Sequence, residues 1–338
     1  MKKIRPFFLF LLFLIVSCNK NNSTELELEQ EQEQISVITD VYITGTVFTT
    51  EKKNATLWKN GKEIPLTDGI NHSEANGLFV LENDVYIAGY KHNGINEVAV
   101  VWKNGLATPL TNGNNSAEAT SVFVVGNDVY VVGFEYNGEK NVAKMWKNGI
   151  ETTFSNSNYA SSISVDGNNV YVSGYHSSAG KRSPRLWKNG IETNLKNSGI
   201  GIAEVNSLFV SKTSIHASGS EFVGGKNIAK VWQNGEETYL TNGVNSSSAN
   251  SIFVLENDIY VAGSESIDGV SIAKIWKNGE ETLLTDGSSF ADAYSVFVLN
   301  NTIYAVGSEA EAPVIWVNGS GTTLAKDGYA SAVFVVTN

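Results

Sequence analysis

The chain has 338 residues, a net charge of −11 and a single cysteine. Nucleic-acid phosphates attract lysine and arginine, so a protein this acidic is a poor partner for DNA or RNA and adsorbs poorly to anionic lipid. One cysteine excludes a disulfide-stapled scaffold, which a chain of this length does not need. We therefore expect no nucleic-acid partner. Internal repeats are the next feature to look for, because they decide the fold.

The first 17 residues have the pattern of a signal peptide. Lys2, Lys3 and Arg5 precede an apolar run at 7–16 that is too short to span a bilayer. Cys18 follows directly, and the stretch Ile-Val-Ser-Cys at 15–18 resembles a bacterial lipobox. That resemblance implies that Cys18 is lipidated and that the lipid alone anchors the protein to the outer membrane of the cell envelope. An ordinary secretory signal followed by a chance cysteine remains the alternative.

A polar spacer is predicted at 18–35. Residues 25–34 are rich in Glu and Gln, with Leu26 and Leu28 as the only apolar side chains. Such a segment cannot bury enough apolar surface to order itself. We expect a solvated tether here and a folded domain at 36–338.

Three sequence motifs recur along the folded domain with a spacing of 40–45 residues. The first is Trp followed by Lys-Asn-Gly or a close variant, and it contains all seven tryptophans: Trp58, Trp102, Trp146, Trp187, Trp232, Trp276 and Trp316. The second is Val-Tyr or Ile-Tyr closed by a glycine, with Ile215-His216 as one variant. The third is an apolar residue before Phe-Val, which degrades in its third copy to Ile163-Ser164-Val165. Coincident copies of three motifs indicate seven structural repeats.

Each repeat predicts four short strands, A to D. Strand A contains the Phe-Val motif, strand B the Val-Tyr motif and strand C the tryptophan. The Asn-Gly after the tryptophan is a strong hairpin signal, because both turn positions need positive φ, and a short Glu-Thr strand follows as D. Four strands in about 44 residues match one propeller blade. The fold is therefore expected to be all-β, a seven-bladed β-propeller.

The two ends of the repeat region predict how the ring closes. The sequence ends on an unpaired strand A at 331–338 and opens on a strand B at Asp40-Val41. Joining the C-terminal strand to the first blade would remove the exposed edges that otherwise promote aggregation. Pairing of residues 35–38 at that position is the less favoured alternative, because their register against Val41-Tyr42 is wrong.

The repeats resemble those of bacterial, Bacteroidota-type lipoproteins with Trp-Lys-Asn-Gly repeats, and they are similar to the extracellular HAF-type repeats. The resemblance covers about residues 36–338 and implies the propeller architecture. It implies no activity and no catalytic residues.

Two kinds of connection are expected at the two ends of the blades. The A–B and C–D turns are tight, whereas the B–C and D–A connections read as long loops, for example 175–184 and 196–206. Function is often carried by loops on a rigid scaffold. One position four residues before the apolar start of strand A should ring the mouth of the central channel. It is occupied by Glu74, Glu118, Tyr159, Glu204, Ser248, Asp292 and Tyr329.

Most other conspicuous residues favour structural roles. A tryptophan fixed at one strand position in every blade is expected to pack between blades. His72, His92 and His176 are expected in loops without metal-ligand spacing, and His216 replaces a structural tyrosine. We therefore predict no metal and no cofactor. Asp68-Gly69 and Asp286-Gly287 are interpreted as turns.

Three functions remain open for the propeller. The first is a non-catalytic binding scaffold, monomeric, that recognises a glycan, a peptide or an envelope protein with its long-loop face. The second is a glycan hydrolase or lyase that uses carboxylates of the ring, which would need to be paired. The third is a structural subunit of an envelope complex. An acidic ring could also be a solvated rim that binds nothing.

Overall fold

The computed structural model describes residues 39–337 except 155, 194, 197–201 and 212–213. The chain divides into two units, Met1–Val37 and Ile38–Asn338, and the description that follows concerns the second. The predicted signal peptide, the lipidation of Cys18, the tether and the alternative pairing of residues 35–38 lie outside the described residues.

The described chain forms 28 strands in seven antiparallel four-stranded sheets, and each sheet is one blade with strands A, B, C and D in that order. Blades 1 to 3 comprise β28 (Gly328–Thr337), β1 (Thr39–Phe48), β2 (Lys53–Lys59) and β3 (Lys62–Pro65); β4 (Ser73–Leu81), β5 (Asp84–His92), β6 (Glu97–Lys103) and β7 (Leu106–Pro109); and β8 (Ala117–Val125), β9 (Asp128–Tyr136), β10 (Asn141–Lys147) and β11 (Ile150–Thr153).

Blades 4 and 5 comprise β12 (Tyr159–Asp166), β13 (Asn169–Ser178), β14 (Lys181–Lys188) and β15 (Ile191–Thr193); and β16 (Ile202–Ser211), β17 (Ser214–Val223), β18 (Lys226–Gln233) and β19 (Glu236–Tyr239). Blades 6 and 7 comprise β20 (Ser247–Leu255), β21 (Asp258–Ile267), β22 (Val270–Lys277) and β23 (Glu280–Leu283); and β24 (Ala291–Leu299), β25 (Thr302–Glu309), β26 (Ala312–Val317) and β27 (Ser320–Thr323). The predicted seven-bladed β-propeller is confirmed.

The ring closes as predicted. The last strand, β28, pairs with β1 from Thr39 opposite Thr337 to Val47 opposite Gly328, and it serves as strand A of blade 1. The first and last strands of the described chain thereby share one blade. Closure completes blade 1, because β1 is now paired on both sides and presents no open edge.

The apolar core lies between neighbouring blades. One cluster joins Tyr42 and Leu57 of blade 1 to Leu78 and Trp102 of blade 2, and similar clusters follow around the ring. All seven tryptophans are buried, six of them at 0–1% exposure. The predicted packing role of the tryptophans is therefore confirmed, and burial of such large rings on both sides of each blade stabilises the stack.

The C–D turns have the geometry that Asn-Gly predicts. In blade 2, Asn104 and Gly105 both have positive φ, at 51° and 84°. The Asn104 side-chain oxygen also accepts a hydrogen bond from the Val85 backbone N–H of strand B, at 2.8 Å. Equivalent asparagines make this bond in all seven blades. We call this end of the propeller, with its A–B and C–D turns, the turn face.

The opposite end carries the B–C and D–A connections, and we call it the D–A face. The expectation of long B–C loops was wrong. Tyr175 pairs directly with Pro184, and the hairpin turns only at Ala179-Gly180. The strands extend further because Gly180 supplies the positive φ that a tight turn requires. The B–C connections contain at most four residues between strands, so only D–A connections, such as 66–72, are longer.

Candidate functional site

A backbone irregularity in strand A sets the predicted ring of side chains at the channel mouth. The pairing of β4 with β5 shifts register between Ala75 and Gly77, and the Glu74 carbonyl packs against Gly89 of β5. A Cβ at Gly89 would lie 2.0 Å from that carbonyl oxygen. The same contact occurs between the ring residue and the strand-B glycine in every blade, which explains why the glycine recurs seven times.

Strand A lines the central channel, because its phenylalanines contact one another from blade to blade. Phe79 lies 4.6 Å from Phe123 and 5.2 Å from Phe334, measured between ring centroids. Phe297 and Phe253 continue this collar to Phe209. Ser164 stands at the equivalent position of blade 4 and interrupts it. The ring residues occupy the same strands nearer the D–A face.

The structure brings three predicted ring residues together at blades 1 to 3. Tyr329 donates a hydrogen bond to Glu74 Oε2 at 2.6 Å, which joins blade 1 to blade 2. Asn76 then donates to Glu118 Oε1 at 2.8 Å, which joins blade 2 to blade 3. Ring residues of this sector are thus held by hydrogen bonds across two successive blade junctions.

Glu74 is held in its charged form. Its Oε1 accepts bonds from Lys53 Nζ at 2.6 Å and from the Tyr90 hydroxyl at 3.0 Å. Burial favours the neutral carboxyl, but the Lys53 ammonium and the Tyr329 and Tyr90 hydroxyls outweigh it and hold the pKa of Glu74 below its usual value. Burial and the charge of Glu74 raise the pKa of both tyrosines, so they remain donors.

The pKa of Glu118 is shifted in the opposite direction. Burial, together with the negative charges of Glu74 and Glu97, raises the pKa of Glu118 to about 7. The hydrogen bond from Asn76 opposes this shift without cancelling it. Two neighbouring carboxyl groups therefore differ in protonation near neutral pH, a pattern that often marks functional sites.

The remaining ring residues also have partners, which come either from the preceding blade or from their own blade. Arg182 of β14 forms an ion pair with Glu204 at 2.5 Å, and Ser271 of β22 donates to Asp292 at 3.0 Å. Tyr159 stacks on Tyr175 with ring centroids 4.7 Å apart. Ser248 lies 3.2 Å from Ser264, oxygen to oxygen. The ring is thus arranged as predicted, but sequence reasoning missed the strand B and C partners that occupy its carboxylates.

A second layer of polar side chains connects the blades immediately below the ring. Asn206 and Asn250 donate to the backbone carbonyls of Ala249 and Ala293 in the next blade. Asn76, Thr120, Ser161 and Ser331 make the equivalent bonds at their own junctions. Between blades 7 and 1 the position carries Tyr294, whose ring meets Tyr329 edge-on at 6.1 Å.

Buried cations inside the blades were not predicted. Lys230 is fully buried and binds Glu221 of strand B and Glu237 of strand D, and Lys274 similarly binds Glu265 and Glu281. Burial lowers a lysine pKa, but these hydrogen bonds from Lys230 to two carboxylates raise it above its usual value. The recurring Ala-Lys-x-Trp sequence was the available signal.

The D–A loops share a local structure that exposes apolar side chains. The Asp68 carboxylate accepts a hydrogen bond from the Ile70 N–H, and Gly69 has a φ of +73°. Asp286 does the same for Ser288, so both acidic positions are turn residues as predicted. The loop tip that this turn creates carries Ile70, which is 68% exposed.

A cleft of about 310 Å³ opens beside that loop, lined by Asp68, His72, Lys91, His92 and Pro109 among others. His72 Nδ1 accepts from the Lys53 N–H, and His92 Nδ1 accepts from the Gly94 N–H. The rings meet edge-on at 6.5 Å between centroids. The prediction that His92 and His176 lie in loops was wrong, because both belong to strand B, β5 and β13, which extend further than expected.

The described residues contain no group of three or more His, Cys, Asp or Glu side chains placed to hold a metal ion. Within the same part of the chain, no helix has the length and apolar character needed to cross a membrane.

Comparison with known proteins supports the architecture and goes no further. No protein-family model and no curated protein matches the chain. Among solved structures, it is similar to the Pyrococcus horikoshii acylaminoacyl peptidase, with a TM-score of 0.51 and 13% identity. The match covers 85% of this chain and spans about half, 51%, of the peptidase chain. At this identity the likeness shows only the fold, that of a β-propeller protein.

Proposed function

We propose that the protein is a lipid-anchored lipoprotein of the cell envelope and that its D–A face is a non-catalytic binding surface for a glycan, a peptide or an envelope protein. One observation carries this proposal. Four large apolar side chains protrude from the connections of this face: Ile70, Ile95, Val244 and Phe290, with exposures of 61–83%. Exposed apolar side chains on loops, beside polar groups, are a feature of many interaction sites.

The geometry of the acidic ring supports binding over a solvated rim. Glu74 accepts three hydrogen bonds and Glu204 is ion-paired, so their oxygens are fixed in position rather than free to rotate. Fixed acceptors beside stacked tyrosines suit the recognition of hydroxyl or amide groups. Such groups are common to glycans and peptides.

The test is binding of the mature protein to glycan and peptide arrays. Replacing Ile70, Ile95, Val244 and Phe290 by serine should reduce the array signal at least tenfold. The matched control replaces Leu106, Ile150 and Ile191, which are 73–75% exposed at the turn end of strand D. Equal loss in both variants, or no loss in the first, would contradict a binding role for the D–A face.

The anchor has its own test. Cys18→Ser should move the protein from the membrane fraction to the soluble fraction, since serine cannot form the thioether to the lipid. Unchanged fractionation of this variant would contradict lipidation. We also expect the released protein to be monomeric, and light scattering of the mature chain checks this.

A second candidate function is a glycan hydrolase or lyase. The observation that favours it is the pair Glu74 and Glu118, whose environments drive their pKa values apart. A carboxyl protonated near pH 7 beside an ionised one is the arrangement that acid catalysis of glycoside cleavage uses. Release of reducing ends from a polysaccharide panel, abolished by Glu118→Gln without loss of binding, would establish this function. Wild type that binds a glycan but releases no product from it would exclude it.

A further inference from the structure

On the turn face, an aspartate, a tyrosine and a lysine lie over the groove between neighbouring blades. We call this repeated arrangement the cover. In blade 2, Lys103 lies over the Tyr86 ring at 5.2 Å from its centroid and pairs with Asp84 at 2.7 Å. The Tyr86 hydroxyl lies 3.4 Å from the same carboxylate. Blades 1, 3 and 6 repeat this Asp–Tyr–Lys arrangement with the same contacts.

Blade 5 loses all three members of the cover. Ser214, His216 and Gln233 stand where other blades carry aspartate, tyrosine and lysine. Blade 7 replaces the aspartate and the lysine but keeps Tyr304, and blade 4 keeps both Tyr171 and Lys188. Blade 5 is therefore the only one of the seven that lacks the tyrosine ring at this position.

The loss opens a crevice between blades 5 and 6. Two cavities of about 470 and 250 Å³ share His216, Gln233 and Ile259 in their walls. The equivalent groove beneath Tyr86 and Lys103 of blade 2 holds a cavity of about 220 Å³, close in size to the smaller of the two, so the larger one is the additional space. Because a tyrosine ring covers that groove and an imidazole does not, the additional space lies where the cover is missing.

The walls of the crevice combine apolar surface with a few polar groups. The smaller cavity is lined by Trp232, Leu240 and Val261 among others, and Asn278 lies at its edge. His216 is 4% exposed, and its Nδ1 has no hydrogen-bond partner within the described residues. A buried polar atom left unpaired is destabilising, and a bound group that forms a hydrogen bond with it would remove that cost. Burial lowers the pKa of His216, so the imidazole is neutral at physiological pH.

The charge of the walls limits the ligand further. Among the described residues that line the two cavities, Glu256 of the larger one is the only aspartate, glutamate, lysine or arginine. A carboxylate in the wall disfavours an anionic ligand by repulsion. A neutral ligand that can donate a hydrogen bond fits these walls.

We propose that the crevice between blades 5 and 6 binds a small neutral phenol, whose ring packs beside the His216 imidazole in the space left where the other blades carry the larger tyrosine. The repeat itself defines this chemistry, because six blades place a phenol at the equivalent position. The hydroxyl exchanges hydrogen bonds with His216 and Glu256. The site lies on the turn face, so it is independent of the proposed binding surface on the D–A face.

The probe is p-cresol, which is the tyrosine side chain as a free molecule. A ligand with so few atoms is expected to bind with a dissociation constant of about 0.1–1 mM. Titration followed by NMR should shift the indole resonance of Trp232, which lines the crevice. Benzoate, with the same ring and a negative charge, should bind at least tenfold more weakly.

Two variants test the position of the site. Ser214→Asp/His216→Tyr/Gln233→Lys restores the charged cover and should abolish p-cresol binding, and His216→Phe should do so by filling the space alone. The converse, Asp84→Ser/Tyr86→His/Lys103→Gln, should create a second site beside blade 2. Binding that persists in both closed variants, or no binding to wild type at 10 mM p-cresol, an excess of about tenfold over the expected constant, overturns the proposal. In that event blade 5 is a degenerate repeat.

Discussion

At the turn face, one asparagine makes the same hydrogen bond to strand B in seven blades out of seven. At the D–A face, the ring position carries glutamate, aspartate, serine or tyrosine, and each has different partners. Both faces belong to the same strands and the same closed ring. The difference lies in what constrains the amino-acid type. The C–D turn requires one backbone conformation, which restricts its residue, whereas the side chain at the ring position faces the channel.

A side chain at the channel mouth is free to vary because its backbone is already fixed by the strand-B glycine. Gly89 accommodates the carbonyl of Glu74, and Gly174 accommodates that of Tyr159, whatever side chain follows. The scaffold therefore positions this residue without specifying it. Sequence variation at such positions indicates where a propeller acquires its specificity.

The largest effect is expected from opening the ring on which both faces depend. Deleting 328–338 removes β28, which exposes the edge of β1 in blade 1 and the apolar face of blade 7 that packs against β28. The loss should approach the whole stability of a domain, about 5–15 kcal/mol, and unfolding should cease to be cooperative. Thermal melting followed by circular dichroism measures this, and deletion of 19–34 serves as the control. Melting of the two truncations at the same temperature would contradict closure.

A smaller effect on stability distinguishes Glu118 from Glu74, the two neighbouring carboxyl groups of the D–A face. The folded-state pKa of Glu118 is raised to about 7 from an ordinary value of 4.5. Folding favours the protonated form of Glu118. Its contribution to the free energy of unfolding is therefore present below pH 4.5 and is lost as the pH rises through 7. Glu118→Gln should remove that loss and stabilise the protein at pH 8 by up to about 3 kcal/mol, with little change at pH 4.5.

Glu74→Gln provides the matched control with the opposite sign. The folded-state pKa of Glu74 is lowered. Its contribution to stability is therefore present at pH values above the ordinary glutamate pKa and is lost on acidification. The variant should be destabilised at pH 8 and approach wild type at low pH. Urea unfolding at both pH values measures the two variants. Effects of the same sign at pH 8 would show that the two carboxyl groups share one environment.

The sequence predicted the blades because periodic motifs report backbone requirements. Asn104-Gly105 requires a tight turn wherever it occurs, and Trp102 requires burial. The position of the ring could be predicted for the same reason, by its fixed offset from strand A. The partners of the ring were missed although their position recurs. Lys53, Arg182 and Ser271 each stand five residues before the tryptophan of strand C and contact the ring residue of the next blade, but the residue type changes from blade to blade and the contact crosses between blades. The long B–C loops were predicted wrongly because polar residues in an extended hairpin resemble loop sequence.

On the turn face, Asn104→Ala tests the repeated asparagine. Alanine tolerates positive φ poorly and leaves the Val85 N–H without its acceptor. We expect a loss of about 1–3 kcal/mol in the free energy of unfolding at any pH between 5 and 8. Asn104→Gly also loses the side-chain bond but adopts the positive φ without strain, so its loss measures the bond and the difference between the two variants measures the backbone strain. No loss in Asn104→Gly would mean that the bond contributes nothing.

The smallest effect is expected from Lys103→Gln, which makes blade 2 resemble blade 5 at one of its three covering positions. Lys103 is exposed, and its ion pair with Asp84 faces water, so screening and side-chain entropy offset most of the attraction. The variant should shift the melting temperature by less than about 2 °C at low salt. At 1 M salt the Debye length falls to about 3 Å and the shift should vanish. Lys230→Gln, which breaks a buried ion pair, is the control whose larger loss should persist at high salt. A Lys103 effect that survives high salt would show that stacking on Tyr86, rather than the charge pair, holds the cover in place.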